Sequence, residues 1–510
     1  MSLPHSYISK TEFLAYQSCP GYAWHARYRP ELLSPPSDTT QRKMRDGQRV
    51  EALARHLFPD GITPGRGKME DLAARTATLI ADGAETIFQA TAIAETGLLA
   101  RADVLQRVDG GWHLIEIKSS STDPGSTNTV VKKYLDDITF QTLAFRQAGI
   151  PVVQSSLIAL NRTFRRTGEI DPHLLFTQID MTEDVERNSA ALHVIIEDAT
   201  ATLLNDRDAA ACECHRKTRT NRCELFSYFH PEVPDKDTIY NIASIQRSAL
   251  LPALDRGVLM IVDWPDDLKL SAKQQQQVAI SRSRTEVVEH DSLAEFLTLL
   301  QSPLWYLDYE SFQNAIPPWD GYAPHQQILF QYSLHYWEPG FDEPIHCEYL
   351  AEDATADPTE ALLTHMAANL GDSGSVVVWN KSFEHGRNIE MAERYPRFAE
   401  FLHDVNARMI DLAEPAKNGW WQHPEFQGSW SLKQVLPVAA PSLSYKELAI
   451  GDGSTASERW MQVVLDSDRE VADTERAEVL EALRIYCAQD TIAMHFIRTY
   501  LHGLLHTAAF

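Results

Sequence analysis

Three separated groups of residues in this 510-residue chain have types and spacings suited to chemistry. In the first, Asp103 is followed by Glu116-Ile117-Lys118, and strand alternation would turn Glu116 and Lys118 to one face. Two carboxylates are hard oxygen ligands for magnesium or manganese. A lysine beside them can stabilise charge on a scissile phosphate or lower the pKa of an attacking water. Glu51 could add a ligand from a preceding helix, and Gln141 could orient the site from a following one. In the second group, Asp308-x-Glu310, Asn380-x-x-Phe383-Glu384 and Tyr486-x-x-x-Asp490 supply four carboxylates from three segments, each beside an apolar element. That much negative charge suits a pair of divalent ions cutting a phosphodiester, and the i, i+4 spacing puts Tyr486 on the helix face of Asp490. The third group is Cys19, Cys212, Cys214 and Cys223, four of the six cysteines. Clustered thiols in a reduced compartment point to a metal, with His215 or His230 as stand-in ligands; Cys347 and Cys487 read as ordinary core cysteines.

The elements that must position these groups can be read from periodicity. Helical patterning covers Thr11 to Tyr16 and Arg42 to Phe58. Period two gives strands over Leu99 to Arg107 and Trp112 to Ser119, split by the Asp109-Gly110-Gly111 turn. A helix over Val131 to Gln147 and a strand over Val152 to Leu160 complete an α/β order. Further on, Leu304 to Asp308 and Ser375 to Trp379 are apolar strands of a second α/β domain. The expected organisation is a first domain over 1–235, a mainly helical connector over 236–300 and a second domain over 301–510, since one core rarely grows past about 250–300 residues.

The first group, in its helix-strand-strand-helix-strand order, resembles the PD-(D/E)xK nuclease superfamily, and within it the RecB-like branch that includes the CRISPR-associated iron–sulfur exonucleases. The resemblance implies a restriction-endonuclease-like fold, Glu51, Asp103 and Glu116 as metal ligands, Lys118 as catalytic lysine, and Gln141 with Phe145 as the helix motif. One early and three late cysteines are similar to the plan in which a 4Fe-4S cluster clasps the ends of that domain, so Cys19, Cys212, Cys214 and Cys223 would hold it. Zinc is the chemical alternative, because thiolates serve both. The second group resembles the DEDD exonucleases of the ribonuclease H-like fold. The resemblance implies Asp308 bridging two metals, Glu310 and Asp490 completing one, Glu384 supporting the other and Tyr486 orienting the water. Residues 324–333, Asp411-Leu412 and 428–437 further resemble an uncharacterised bacterial family that fuses the same two domains.

Net charge sets a tension with this expectation, because nucleic-acid binders usually carry a basic balance and this chain carries −25. The excess is uneven: residues 1–300 hold 33 Lys+Arg against 40 Asp+Glu, whereas 301–510 hold 13 against 31. The second domain is therefore a poor phosphate grip without divalent ions. The start, Met1-Ser2-Leu3-Pro4-His5-Ser6, lacks a basic and then apolar leader, and the longest strongly apolar run is Val258 to Val262. The expectation is a cytoplasmic enzyme that hydrolyses nucleic acid, DNA ahead of RNA, with no membrane partner. The rival readings are an RNA-directed exonuclease working through the second group, and a binding module with one inactive site.

Overall fold

The computed structural model describes residues 6–204, 211–219, 222–466 and 471–507. The start of the chain, Met1 to His5, lies outside them. The fold is mixed α/β and divides into two compact units. The first comprises Met1–Lys217, Asn221–Pro231 and Gln313–Gln326; the second comprises Thr218–Thr220, Glu232–Phe312 and Gln327–Phe510. Residues 236–300, read as a connector, thus cluster with the second unit. They consist of short helices and the two-residue strand β7 (Val287–Val288), which pairs with β13 (Trp421–Gln422).

The first unit is built on a six-stranded sheet of β1 (Ile8–Ser9), β2 (Thr86–Ile93), β3 (Leu98–Val108), β4 (Gly111–Thr122), β5 (Val152–Asn161) and β6 (Phe176–Asp180). β3 and β4 form the hairpin expected at Asp109-Gly110, where Gly110 takes the positive φ of +82° that a tight turn needs. β5 returns parallel to β4 through the helix Asn128–Gln147, whose buried face packs Ile138, Phe140, Ala144 and Phe145 into the core. β2, absent from the periodicity reading, runs antiparallel along β3.

The β3–β4 pairing runs only from Val108↔Gly111 to Val104↔Ile115, and the strands part beyond it. β1 pairs in parallel with Leu98 and Leu99, further along β3. Leu99 also pairs with β2, as Val104 does, so β1 and β4 share one edge of β3 with a fork between them. Ser9 ends β1 and caps the helix Lys10–Ser18 through a capping box with Glu12, which places Lys10 at the fork.

The second unit has a five-stranded sheet in the order β10 (Ile345–Leu350), β9 (Gln327–Trp337), β8 (Leu304–Gln313), β11 (Ser375–Val378) and β12 (Met409–Asp411). β8, β11 and β12 are parallel, and β10 is antiparallel to β9. Leucines and aromatics of β8 feed both cores, with Leu304 and Tyr306 in one and Leu307 and Tyr309 in the other. The helix Asp473–Thr507 contributes Ala493, Met494, Ile497 and Leu501 to the first of these. Among the described residues, no helix is long and apolar enough to cross a membrane.

Candidate active sites and a candidate metal centre

In the first unit, the fork holds the residues that the spacing selected. Asp103 stands where β3 and β4 part, and its Oδ2 accepts the Ile117 amide at 2.8 Å, replacing the ladder bond that the fork removes. Glu51, from the helix Asp38–Ala54, meets Asp103 through Gln89, whose side-chain amide donates to Glu51 Oε1 at 2.6 Å and to Asp103 Oδ1 at 3.0 Å. Gln89 has a φ of +52° and is left out of the β2–β3 pairing, whose register is the same at Phe88 and Ala90 on either side, so the strand departs from extended geometry only at the residue whose amide reaches two carboxylates. Arg55 completes the Glu51 shell at 2.6 Å.

Glu116 and Lys118 do share a face. Lys118 Nζ lies 2.6 Å from Glu116 Oε1 and 2.7 Å from Asp137 Oδ2. Lys10 bridges the same two carboxylates, at 2.6 and 3.1 Å. Gln141 donates to Glu116 Oε2 at 2.7 Å and to Asp137 Oδ1 at 2.9 Å, and Phe145, one turn on, is fully buried.

These contacts divide the carboxyls electrostatically. Burial, then the charges of Glu116 and Glu51, push Asp103 up to about 8. Burial acts the same way on Glu116, but the Lys118 and Lys10 ammoniums outweigh it and hold the carboxyl down at about 2. Burial would strip the proton from Lys118; Glu116 and Asp137 reverse that and hold it far more tightly than in an ordinary lysine. Lys118 is therefore a fixed positive charge in this site and gives up its proton poorly.

In the second unit, Asp308 and Glu310 lie within β8, two residues apart on one face, and Glu384 sits in the first turn of the helix Ser382–Arg394 after the positive-φ residue Asn380. Asp490 and Tyr486 lie one turn apart on Asp473–Thr507. The four carboxyls feel one another. Burial and then Asp490, Glu310 and Glu384 raise Asp308 well above the carboxylate range. Glu310 is pushed up to about 8 by burial and Asp490, and Glu384 to about 8 by burial and Asp411. Asp490 rises less, to about 6, because burial is offset by hydrogen bonds from Tyr445 and Tyr486 and by Lys433. Glu384 Oε2 is buried and has no hydrogen-bond partner among the described residues.

Donor atoms of Asp308, Glu310 and Cys487 lie within 4.8 Å of one another, and the Cys487 thiol reaches Asp308 Oδ2 at 3.6 Å. Cys487, read from sequence as a core cysteine, therefore belongs to the site. So do three more residues that spacing did not select: Tyr445, whose hydroxyl donates to Asp490 Oδ1; Lys433, whose ammonium lies 5.2 Å from the Tyr486 ring; and Asp411, which accepts the Asn380 amide at 3.0 Å. Glu384 and Asp490 stand outside the 4.8 Å group.

The four expected cysteines come together. Their sulfurs all lie within 4.8 Å of one another, with Cys19–Cys212 at 3.8 Å and Cys214–Cys223 at 3.6 Å. Cys19 caps the helix Pro20–Tyr28 and accepts the Tyr22 amide at 3.4 Å, and Cys212 accepts the Cys214 amide at 3.4 Å. Such N–H···S bonds stabilise thiolates, the form that binds metal. A hydrogen bond from Cys223 pulls Cys19 down to about 5, whereas burial pushes Cys212 up to about 12. His215 and His230 are not in the group; their ring centroids lie 4.8 Å apart with the planes tilted by 58°.

What the geometry defines is a two-unit α/β protein with two buried carboxylate sites and a cysteine group able to hold a metal. Residues 305–431, around the second site, match the model of a domain of unknown function, DUF2779. An uncharacterised protein of Ureaplasma parvum serovar 3 is 26% identical over 43% of this chain and 34% of its own length. Uncharacterised proteins of Mycoplasma genitalium and Mycoplasma pneumoniae are 26% and 28% identical, each over 39% of this chain and 32% of their own length. The chain thus spans about a third of the curated relatives it matches.

Proposed function

We propose that this protein is a metal-dependent nuclease, hydrolysing DNA phosphodiester bonds exonucleolytically, with a restriction-endonuclease-like first unit and a ribonuclease H-like second unit. The observation that carries the reading is the concentration of mutually repelling carboxyls in largely buried surroundings: Asp103 with Glu116 and the half-buried Glu51, and Asp308 with Glu310, Glu384 and Asp490. Burying such groups together is costly unless a cation compensates them, and divalent ions at a phosphodiester site do so.

Magnesium or manganese, when bound there, would neutralise the carboxylates and the scissile phosphate and activate water. The chain's own residues would do the rest. Asp103, Glu116 and Glu51 would bind one ion, with Gln141 fixing the Glu116 carboxyl. Lys118, held protonated, would face the charge that grows on the phosphate. In the second unit, Asp308, Glu310, Glu384 and Asp490 would be the ligands, Tyr486 would orient the attacking water, and Tyr445 would set the angle of Asp490. The four cysteines would take their metal as thiolates, and the resemblance implies a 4Fe-4S cluster at that place. Reduced thiols and the two sites together suit a cytoplasmic enzyme of DNA repair or defence against foreign DNA.

The test is degradation of labelled single- and double-stranded DNA and RNA by the full chain with magnesium, manganese or chelator, for wild type, Lys118→Ala, Asp490→Ala and the double variant. Metal-dependent loss of DNA, abolished only in the double variant, is expected. Faster loss of RNA that survives Lys118→Ala but not Asp490→Ala would move the activity to the second site and the substrate to RNA. Absence of metal-dependent cleavage of all four polymers would sink the proposal.

A further inference from the structure

The four-cysteine group has a size, and that size selects among its possible occupants. Zinc–thiolate bonds are about 2.3 Å long, and a regular tetrahedron separates its corners by about 1.63 times the bond, which gives about 3.8 Å between sulfurs. The pairs here stand at 3.8 and 3.6 Å, and no sulfur is further than 4.8 Å from another. A cubane cluster needs a wider cage, because each thiolate ends on a different iron and the iron–iron edge is inserted between them. Disulfides need sulfurs at about 2.05 Å, well inside these separations, and all four cysteines are free.

We infer that Cys19, Cys212, Cys214 and Cys223 hold a single tetrahedral ion, zinc, in place of the 4Fe-4S cluster that the resemblance implies. An all-thiolate tetrahedral set with no open position is the donor set of structural zinc sites. Three of the four residues are buried, so no position is left for substrate, and the ion's role is to clamp. It ties Cys19 to a segment 193 residues further on, and closing a loop that long is where a clamp removes the most chain entropy. The clamped residue also ends the helix that starts at Lys10. That nine-residue helix is about 13 Å long, so the ion fixes one end of a rod whose other end lies on Glu116.

The inference stands independently of the nuclease reading and is tested on metal content. Full-length protein from cells supplied with both iron and zinc is purified without oxygen, and its zinc, iron and acid-labile sulfide are measured. One zinc per chain, with no sulfide and no visible chromophore, is the expected result. Cys214→Ser should lose the zinc, and Cys347→Ser should keep it. Because Cys214→Ser could misfold, a second measurement replaces zinc by cobalt during growth. Intense visible bands of tetrahedral cobalt thiolate are expected. Iron with sulfide, iron alone, or cobalt bound without a tetrahedral spectrum would each overturn the inference.

Discussion

Lys10 and Lys118 place two ammoniums on one pair of buried carboxylates, and this redundancy has a measurable signature. Each touches Glu116 Oε1 at 2.6 Å and an oxygen of Asp137. Glu116 and Asp137 are only 2% and 4% exposed, so solvent does little to replace a lost cation. Replacing one lysine by methionine keeps its aliphatic stem and leaves the other ammonium in place. Each single change should therefore cost about 1.5 kcal/mol, the lower range for a charge-assisted hydrogen bond. Replacing both strands two buried charges, which costs about 3–5 kcal/mol for a broken buried pair. The double variant should fall near the top of that range, about 2 kcal/mol beyond the sum of the single changes. The measurement is denaturant unfolding in chelator, with hydrogen exchange at the β4 amides 111–122 as a local reading. Saturating manganese should then stabilise the double variant more than the wild type, because an ion can replace both ammoniums. Additive costs within about 0.5 kcal/mol, with no manganese dependence, would refute the argument that these lysines are counter-ions of a cation site.

Two further outcomes are expected. In a Lys118→Ala background, Asp490→Ala should abolish exonuclease activity by removing a ligand, whereas Tyr486→Phe should slow it by about 10²–10⁴, as for loss of one orienting contact; equal single-turnover rates for all three proteins would make the second site structural. Stability should also depend on pH with a defined sign. Asp103, Glu310 and Glu384 hold protons in the folded, metal-free protein up to about pH 8, whereas unfolded carboxyls release them near pH 4. The folded state binds more protons in that window, so stability should fall as pH rises from about 4 to 8 and flatten with magnesium. Melts that rise with pH in chelator would contradict this.

Residues whose partners are close in sequence were legible, and those whose partners arrive through the fold were not. Glu116 and Lys118 share a face by strand alternation alone, and the turn at Gly110 brings Asp103 beside them. Lys10 reaches Glu116 across 106 residues, through a two-residue parallel pairing too short to leave a periodic trace. Gln89 depends on a positive φ in a strand that periodicity missed. Asp137 was within reach, since it lies one helical turn before Gln141 on the same face. Cys487 was too, being three residues before Asp490, but a single cysteine beside apolar neighbours reads as core. Tyr445 and Lys433 follow no repeat and enter the site only because the chain after β13 folds back over it.

Residues 313–326 run on from the last residue of β8 in sequence yet belong to the first unit. Ala315 joins the cluster of Val50, Ala54 and Val104, and His325 Nε2 lies 2.6 Å from the Ser119 carbonyl oxygen, next to Lys118. Arg166 donates to the Pro317 and Pro318 carbonyls at 2.9 and 2.7 Å, and Arg42 to that of Gln313 at 3.2 Å. On the ribosome, the strand bearing Glu116 and Lys118 is therefore made some two hundred residues before its last supports emerge, and the first unit finishes only after β8 of the second has been synthesised. A truncation near residue 235 removes these supports, so an inactive fragment of that kind reports an incomplete core and says nothing about the chemistry of Lys118.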